Sequence, residues 1–136
     1  MAEVPKTPDI SSRPLLLFME RLDNWRASAR AENFWRDRIE HQNWADQLRD
    51  EAKGIIVWLE LKGQDEAAAR FDHAMRVWRE AIWHFQERCE GVYPADDWRC
   101  REARDEMIAA AGRATGAAED LDSELPEEVW EGFFDA

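Results

Sequence analysis

Six residues with apolar side chains, Phe71, Met75, Trp78, Ile82, Phe85 and Cys89, follow one another at intervals of 4, 3, 4, 3 and 4. Only a helix puts such a series on one line, because residues three and four apart share a face. The stripe fits a helix from about Asp65 to Glu90, with Gly91 where a left-handed cap would close it. A helix with one apolar face must bury it against something, so the remaining segments have to supply partners.

They do so in the same idiom. Leu15, Phe18, Leu22, Trp25 and Ala29 step by 3, 4, 3 and 4 behind Pro14, which suits a first helical turn, with Ser12 as the expected N-cap. The phase is lost around Ala31–Asn33, which predicts a break, and resumes with Phe34, Trp35 and Ile39, then Leu48, Ala52, Ile55 and Leu59, stopping at Gly63. A last segment, capped by Asp96 or Asp97 after a turn over 91–96, carries Trp98, Cys100, Met107, Ile108 and Ala111 and is expected to fray at Gly112 or Gly116. The run Gly54–Gly63 contains Ile55-Ile56-Val57-Trp58 between glycines, which are strand signals, but the chain holds no second run of that kind to pair with it. Helix is therefore the expectation there; a strand would have to pair with another chain.

The expected fold is all-α. Residues 1–13, with Pro5 and Pro8, form an extended lead-in; residues 14–116 form a bundle of about four helices; residues 117–136 form an acidic C-terminal segment with room for a short terminal helix. Leu, Ile, Val and Phe make up only 26 of 136 residues, and the net charge is −12, a balance at the edge of what supports a core. Eight tryptophans, each able to bury roughly 150–250 Å², make up the shortfall, so the core is expected to be Trp-rich.

The longest apolar run near the N-terminus, Leu15–Met19, is too short for a membrane span or a secretory leader, which gives the expectation of a cytoplasmic protein. Cys89 and Cys100 are expected to be two thiols, as suits a reducing compartment. The alternative is a disulfide across the turn at 91–96.

The charge is unevenly placed. No Lys or Arg follows Arg113, while residues 114–136 hold eight acids, so −8 of the net −12 lies in the last 23 residues. Pro126 opens a segment in which Val129, Trp130, Phe133 and Phe134 alternate with Glu127, Glu128, Glu131 and Asp135, the form of an acidic amphipathic peptide that lays aromatics into a groove. The competing placement folds Trp130 and Phe134 back onto the chain's own core. On the first placement, Glu127, Glu128, Trp130, Glu131, Phe133 and Phe134 form the leading contact surface, and deleting residues 120–136 should leave a folded body. Surface acids Asp37, Glu40, Asp46 and Asp50 are the second choice.

Catalytic signals are sparse. No acid stands three residues before His41, His73 or His84, as a carboxylate-bridged di-iron bundle would need. His84 has Glu80 and Glu87 one turn away on either side, a pattern that an acidic helix produces by chance and more often a solvated face than a metal site. No serine sits in a nucleophile elbow, neither cysteine neighbours a histidine, and the six glycines are scattered. The reading is a non-enzymatic chain without catalytic residues, metal or cofactor.

Direct nucleic-acid binding is disfavoured by the negative charge, although Arg99, Arg101 and Arg104 beside Trp98 form a local basic cluster. An acidic domain is better suited to a partner protein with a basic surface, including one whose nucleic-acid-binding site it blocks. In size and acidity the chain is similar to nucleic-acid mimics among phage inhibitors of host defence, in general character only and with no motif behind the likeness. Its expected role is thus a protein-binding inhibitor or adaptor. The alternative is a self-assembling helical subunit of a larger complex, a homodimer being the simplest case, suggested by the 71–89 stripe and the 54–63 run.

Overall fold

Every member of the 71–89 stripe is buried. The computed structural model, which describes residues 13–89 and 97–135, consists of α1 (Pro14–Ala29), α2 (Arg38–Leu61), α3 (Asp65–Cys89) and α4 (Trp98–Glu124), with single 3-10 turns at Glu32–Phe34, Glu127–Trp130 and Phe133–Asp135. The lead-in over 1–12, its Ser12 cap and the turn at 91–96 lie outside the described residues. Among those residues there is no strand, and no helix is long and apolar enough to cross a membrane.

Each helix packs on two others, in the closed order α1, α2, α3, α4 and back to α1. Ion pairs and side-chain bonds give the directions. Arg21 meets Glu51 while Trp25 donates to the carbonyl of His41 at 3.1 Å, so α1 and α2 run oppositely. Arg70 near the start of α3 meets Glu124 at the end of α4. Arg13 pairs with Asp122, and the side chain of Arg26 lies over Gly112, which makes α1 antiparallel to α4. The result is an up-down-up-down four-helix bundle.

The local signals behind it are specific. Asp97 caps α4 by accepting from the Arg99 N–H at 2.9 Å. Gly63 ends α2 with φ +74°, its N–H bonded to the Glu60 carbonyl and that of Gln64 to Leu59. That is a Schellman cap, for which glycine is the favoured residue. The segment 54–61 is accordingly the last two turns of α2. Its glycine costs about 1 kcal/mol of helix propensity, but Ile55 and Leu59 anchor it in the core.

Tryptophan does build the interior. Trp25 and Trp78 are fully enclosed and meet edge to face with centroids 5.1 Å apart. Phe18 meets Phe71 likewise at 5.4 Å. Trp35, Trp44 and Trp58 pack at the core's margin.

Four sequence expectations need correction. The fourth helix does not fray at Gly112 or Gly116, and so runs through the expected boundary between 116 and 117 to Glu124. Ala110, Ala111, Ala114 and Ala118 supply the highest helix propensity and let the neighbouring helices close in, and Leu121 extends the buried face. Ile39 is 66 % exposed, and the inward position belongs to His41, two residues on and on the opposite side of the helix. Trp98 also stands outside the core, with the Arg99 guanidinium over its ring. Finally, Cys89 and Cys100 are not two thiols: they form a disulfide that joins the end of α3 to the start of α4, with Cα atoms 5.5 Å apart.

A bond across a separation of 11 residues restricts the unfolded chain by about 2–3 kcal/mol in the loop-closure account. Reduction with a thiol reagent is expected to lower the unfolding free energy measured in urea by that amount, with a lower midpoint, and without loss of helical signal under native conditions. An unchanged midpoint in fully reduced protein, verified by thiol titration, would show that the bond contributes nothing.

Candidate functional site

The C-terminal segment is built from the end of α4 upward. Leu125 and Pro126 take extended backbone angles, which turns the chain back along the bundle before the turn at Glu127–Trp130. The fulcrum is Trp58 on α2. Its indole N–H donates to the Val129 carbonyl at 2.7 Å, Phe133 meets its ring edge to face at 5.4 Å, and the Lys62 ammonium sits 4.7 Å above it. Gly132 adopts φ +82°, a conformation costly to any residue with a side chain, and this reverses the chain so that Phe133 returns to Trp58. Trp130 and Phe133 then pack together at 5.7 Å.

This arrangement sorts the predicted contact residues. Trp130 is 8 % exposed and belongs to the core, so it is not a free contact residue; Val129 is buried beside it. Phe133 is half-buried. Phe134 is 55 % exposed, and Glu127, Glu128 and Glu131 all face outward. The segment is therefore no loose peptide but a docked strap whose acidic side is held away from the bundle. Expecting a folded body after deletion of 120–136 is corrected on the same ground, because the deletion would remove Leu121, Val129 and Trp130 from the core.

An open cleft at the strap's surface is bordered by Arg13, Asp122, Glu127, Glu128, Trp130 and Glu131. Asp122 is buried and paired with Arg13, and Glu124 is tied to Arg70 by bonds of 2.6 and 3.4 Å. The Arg70 guanidinium holds the Glu124 carboxyl below its usual range. Buried Asp122 and exposed Glu124 thus have cations of their own, while no ion pair is formed among the described residues by Glu127, Glu128 or Glu131.

The second set of predicted acids is elsewhere. Asp37, just before α2, is engaged by Arg36 and Asn33 at 3.0 Å each, and these bonds keep its carboxyl low. Glu40 and Asp50 are exposed on α2, and Asp46 pairs with Arg49 at 3.2 Å. Asp37 and Trp58 are 21 positions apart, roughly 30 Å along the helix, so Asp37 and the strap do not form one surface, whereas Asp50 stands only about 12 Å from Trp58 along α2. The group around His84 does not come together either: no group of three His, Cys, Asp or Glu side chains among the described residues could hold a metal ion.

Sequence reasoning missed His41. Its ring is 5 % exposed, lies between Trp25 at 4.9 Å and Phe34 at 5.0 Å, and leaves Nε2 without a hydrogen-bond partner. Burial lowers its pKa from 6.5 to about 4, against an opposing pull from Asp37. The signal was present: His41, Ala45, Leu48, Ala52, Ile55 and Leu59 repeat the 4, 3, 4, 3, 4 spacing of α3.

Architecture and surface together define a four-helix bundle with a docked acidic strap. Comparison with known protein families, characterised proteins and solved structures finds no match to this chain.

Proposed function

We propose that the protein is a non-enzymatic binding module that engages a partner protein with a basic surface through its acidic strap. The observation that carries this reading is the docking of the strap on Trp58, which leaves Glu127, Glu128 and Glu131 outward and without ion pairs beside the exposed Phe134. A docked backbone loses little freedom on binding, and the carboxylates it carries steer an oppositely charged partner over a Debye length of about 8–10 Å. The activity is that of an inhibitor or an adaptor, blocking of a basic nucleic-acid-binding site by an anti-defence protein being one form of it, with the cytoplasm as its setting.

The test compares the full chain with the variant Glu127→Gln, Glu128→Gln and Glu131→Gln, each immobilised and exposed to lysate of the organism that encodes it. A basic protein retained by the first, released by salt and lost with the variant is the expected result. Equal retention by both, with helicity unchanged, would overturn the assignment.

Self-assembly is the second reading. The stripe at 71–89 is spent within the chain's own core, and what favours assembly is the pair Val57 and Leu61, one turn apart on the outer side of α2, Leu61 being 76 % exposed. Light scattering on a sizing column decides it; a monomer at all concentrations removes it.

A further inference from the structure

A groove of about 560 Å³ runs between α2 and α3, away from the acidic strap. Its floor is apolar, made by Ala45 and Ile82. Arg49 and Asp46 line the α2 side, and Arg76, Arg79, Glu80 and Trp83 the α3 side. Three guanidiniums and two carboxylates line it, and Asp72 pairs with one of the three, so the groove is close to balanced in a chain of net charge −12.

The cations are not equivalent. Arg49 is engaged by Asp46 at 3.2 Å and Arg76 by Asp72 at 2.8 Å. The Nε of Arg79 is buried and has no hydrogen-bond partner. A buried guanidinium N–H without an acceptor is a cost that a bound oxygen acceptor removes. Trp83, four residues along the same helix, is 56 % exposed and offers a flat apolar face to the same groove.

We propose that this groove binds a small molecule that joins a carboxylate to a planar apolar ring, the carboxylate accepting from Arg79 and the ring lying on Trp83 over the Ala45–Ile82 floor. The carboxylate matches the planar donor fork of an arginine, which a lysine does not reproduce. The ring matches a groove whose floor lacks polar side chains and whose mouth is an indole.

The probe is benzoate, with benzamide as its uncharged counterpart and inorganic phosphate as an anion without a ring. The readout is the proton–nitrogen correlation spectrum of the full chain, following the Arg79 Nε–H and the Trp83 indole N–H, assigned by Arg79→Lys and Trp83→Phe. Benzoate is expected to shift both signals saturably, with a dissociation constant of about 1 mM or tighter, and benzamide to bind at least about tenfold more weakly. Arg79→Lys should weaken benzoate by a similar factor while keeping the charge, and Trp83→Ala, at an exposed position, should do so without disturbing the fold. The proposal is overturned if benzoate shifts neither signal saturably, if benzamide or phosphate shifts both as strongly, or if the two variants bind benzoate as the parent does.

Discussion

Replacing Trp130 with Ala is expected to destabilise the fold by about 3–5 kcal/mol, the range for removing a large aromatic from a packed site. Trp130 is buried although it lies beyond the last long helix, and its ring is the inner partner of Phe133, which in turn meets Trp58. Truncating it opens a space that only the strap could fill, and the strap is held at one end by Leu125–Pro126 and at the other by the turn at Gly132. The contrast with its neighbours makes the prediction sharp. Glu127, Glu128 and Glu131 are exposed and form no ion pair among the described residues, so their neutralisation should stay within about 0.5 kcal/mol. Urea denaturation followed by circular dichroism separates the cases. If Trp130→Ala unfolds at the parental midpoint, the strap is not part of the cooperative fold.

Lowering the pH should weaken the bundle through His41. Its pKa is about 4 in the folded protein and 6.5 without the fold's influence, so the unfolded chain binds more protons between those values. The contribution is fully favourable above pH 6.5, declines as pH falls through 6.5 toward 4, and is lost below 4, amounting to about 3 kcal/mol at 1.36 kcal/mol per pKa unit. The groups around the ring set this direction. Trp25 from α1 and Phe34 press on it, Ile82 and Phe85 from α3 and Met107 from α4 share its small cavity, and Asp37 alone raises its pKa. Arg38 borders the same cavity, and Arg104 from α4 lies over Phe34 and Trp35, so a charged imidazole would meet cations as well as rings. Stability measured in urea at pH 7.5 and 4.5 should fall steeply in the parent, and His41→Phe should flatten the difference. The subtraction isolates His41 from the general relief of repulsion among the acids. An identical pH dependence in the two proteins would refute the assignment.

The helices were legible because periodicity is a local signal. The stripes of α1 and α3 appear in the structure residue for residue. What escaped the pattern depended on information from elsewhere in the chain. Gly112 and Gly116 looked like stops, yet propensity was outvoted by alanines and by Leu121, whose value lies in the helices they meet. His41 occupied an apolar register, but its chemistry disguised it, and Ile39 drew the apolar reading to the wrong side of the helix. The strap was the hardest case. Alternating acids and aromatics specify two sides but not what the aromatic side meets, and the answer lay 71 positions away in the Trp58 N–H that reaches Val129.

The closed order of the helices also bears on how the chain reaches this state. Three interfaces join helices consecutive in sequence, and only the α1–α4 interface joins the two ends of the series. Contacts between consecutive helices close short loops, for which the entropy cost is small and formation is fast. The remaining loop, which brings Arg13 to Asp122 across 109 positions, concentrates the slow search in one event. The contacts of the α2–α3 hairpin are in place before that event, so substitutions there weigh on the rate of folding. Changes in the α4 alanines or in Leu22 and Trp25 of α1, whose packing completes with it, fall more on unfolding.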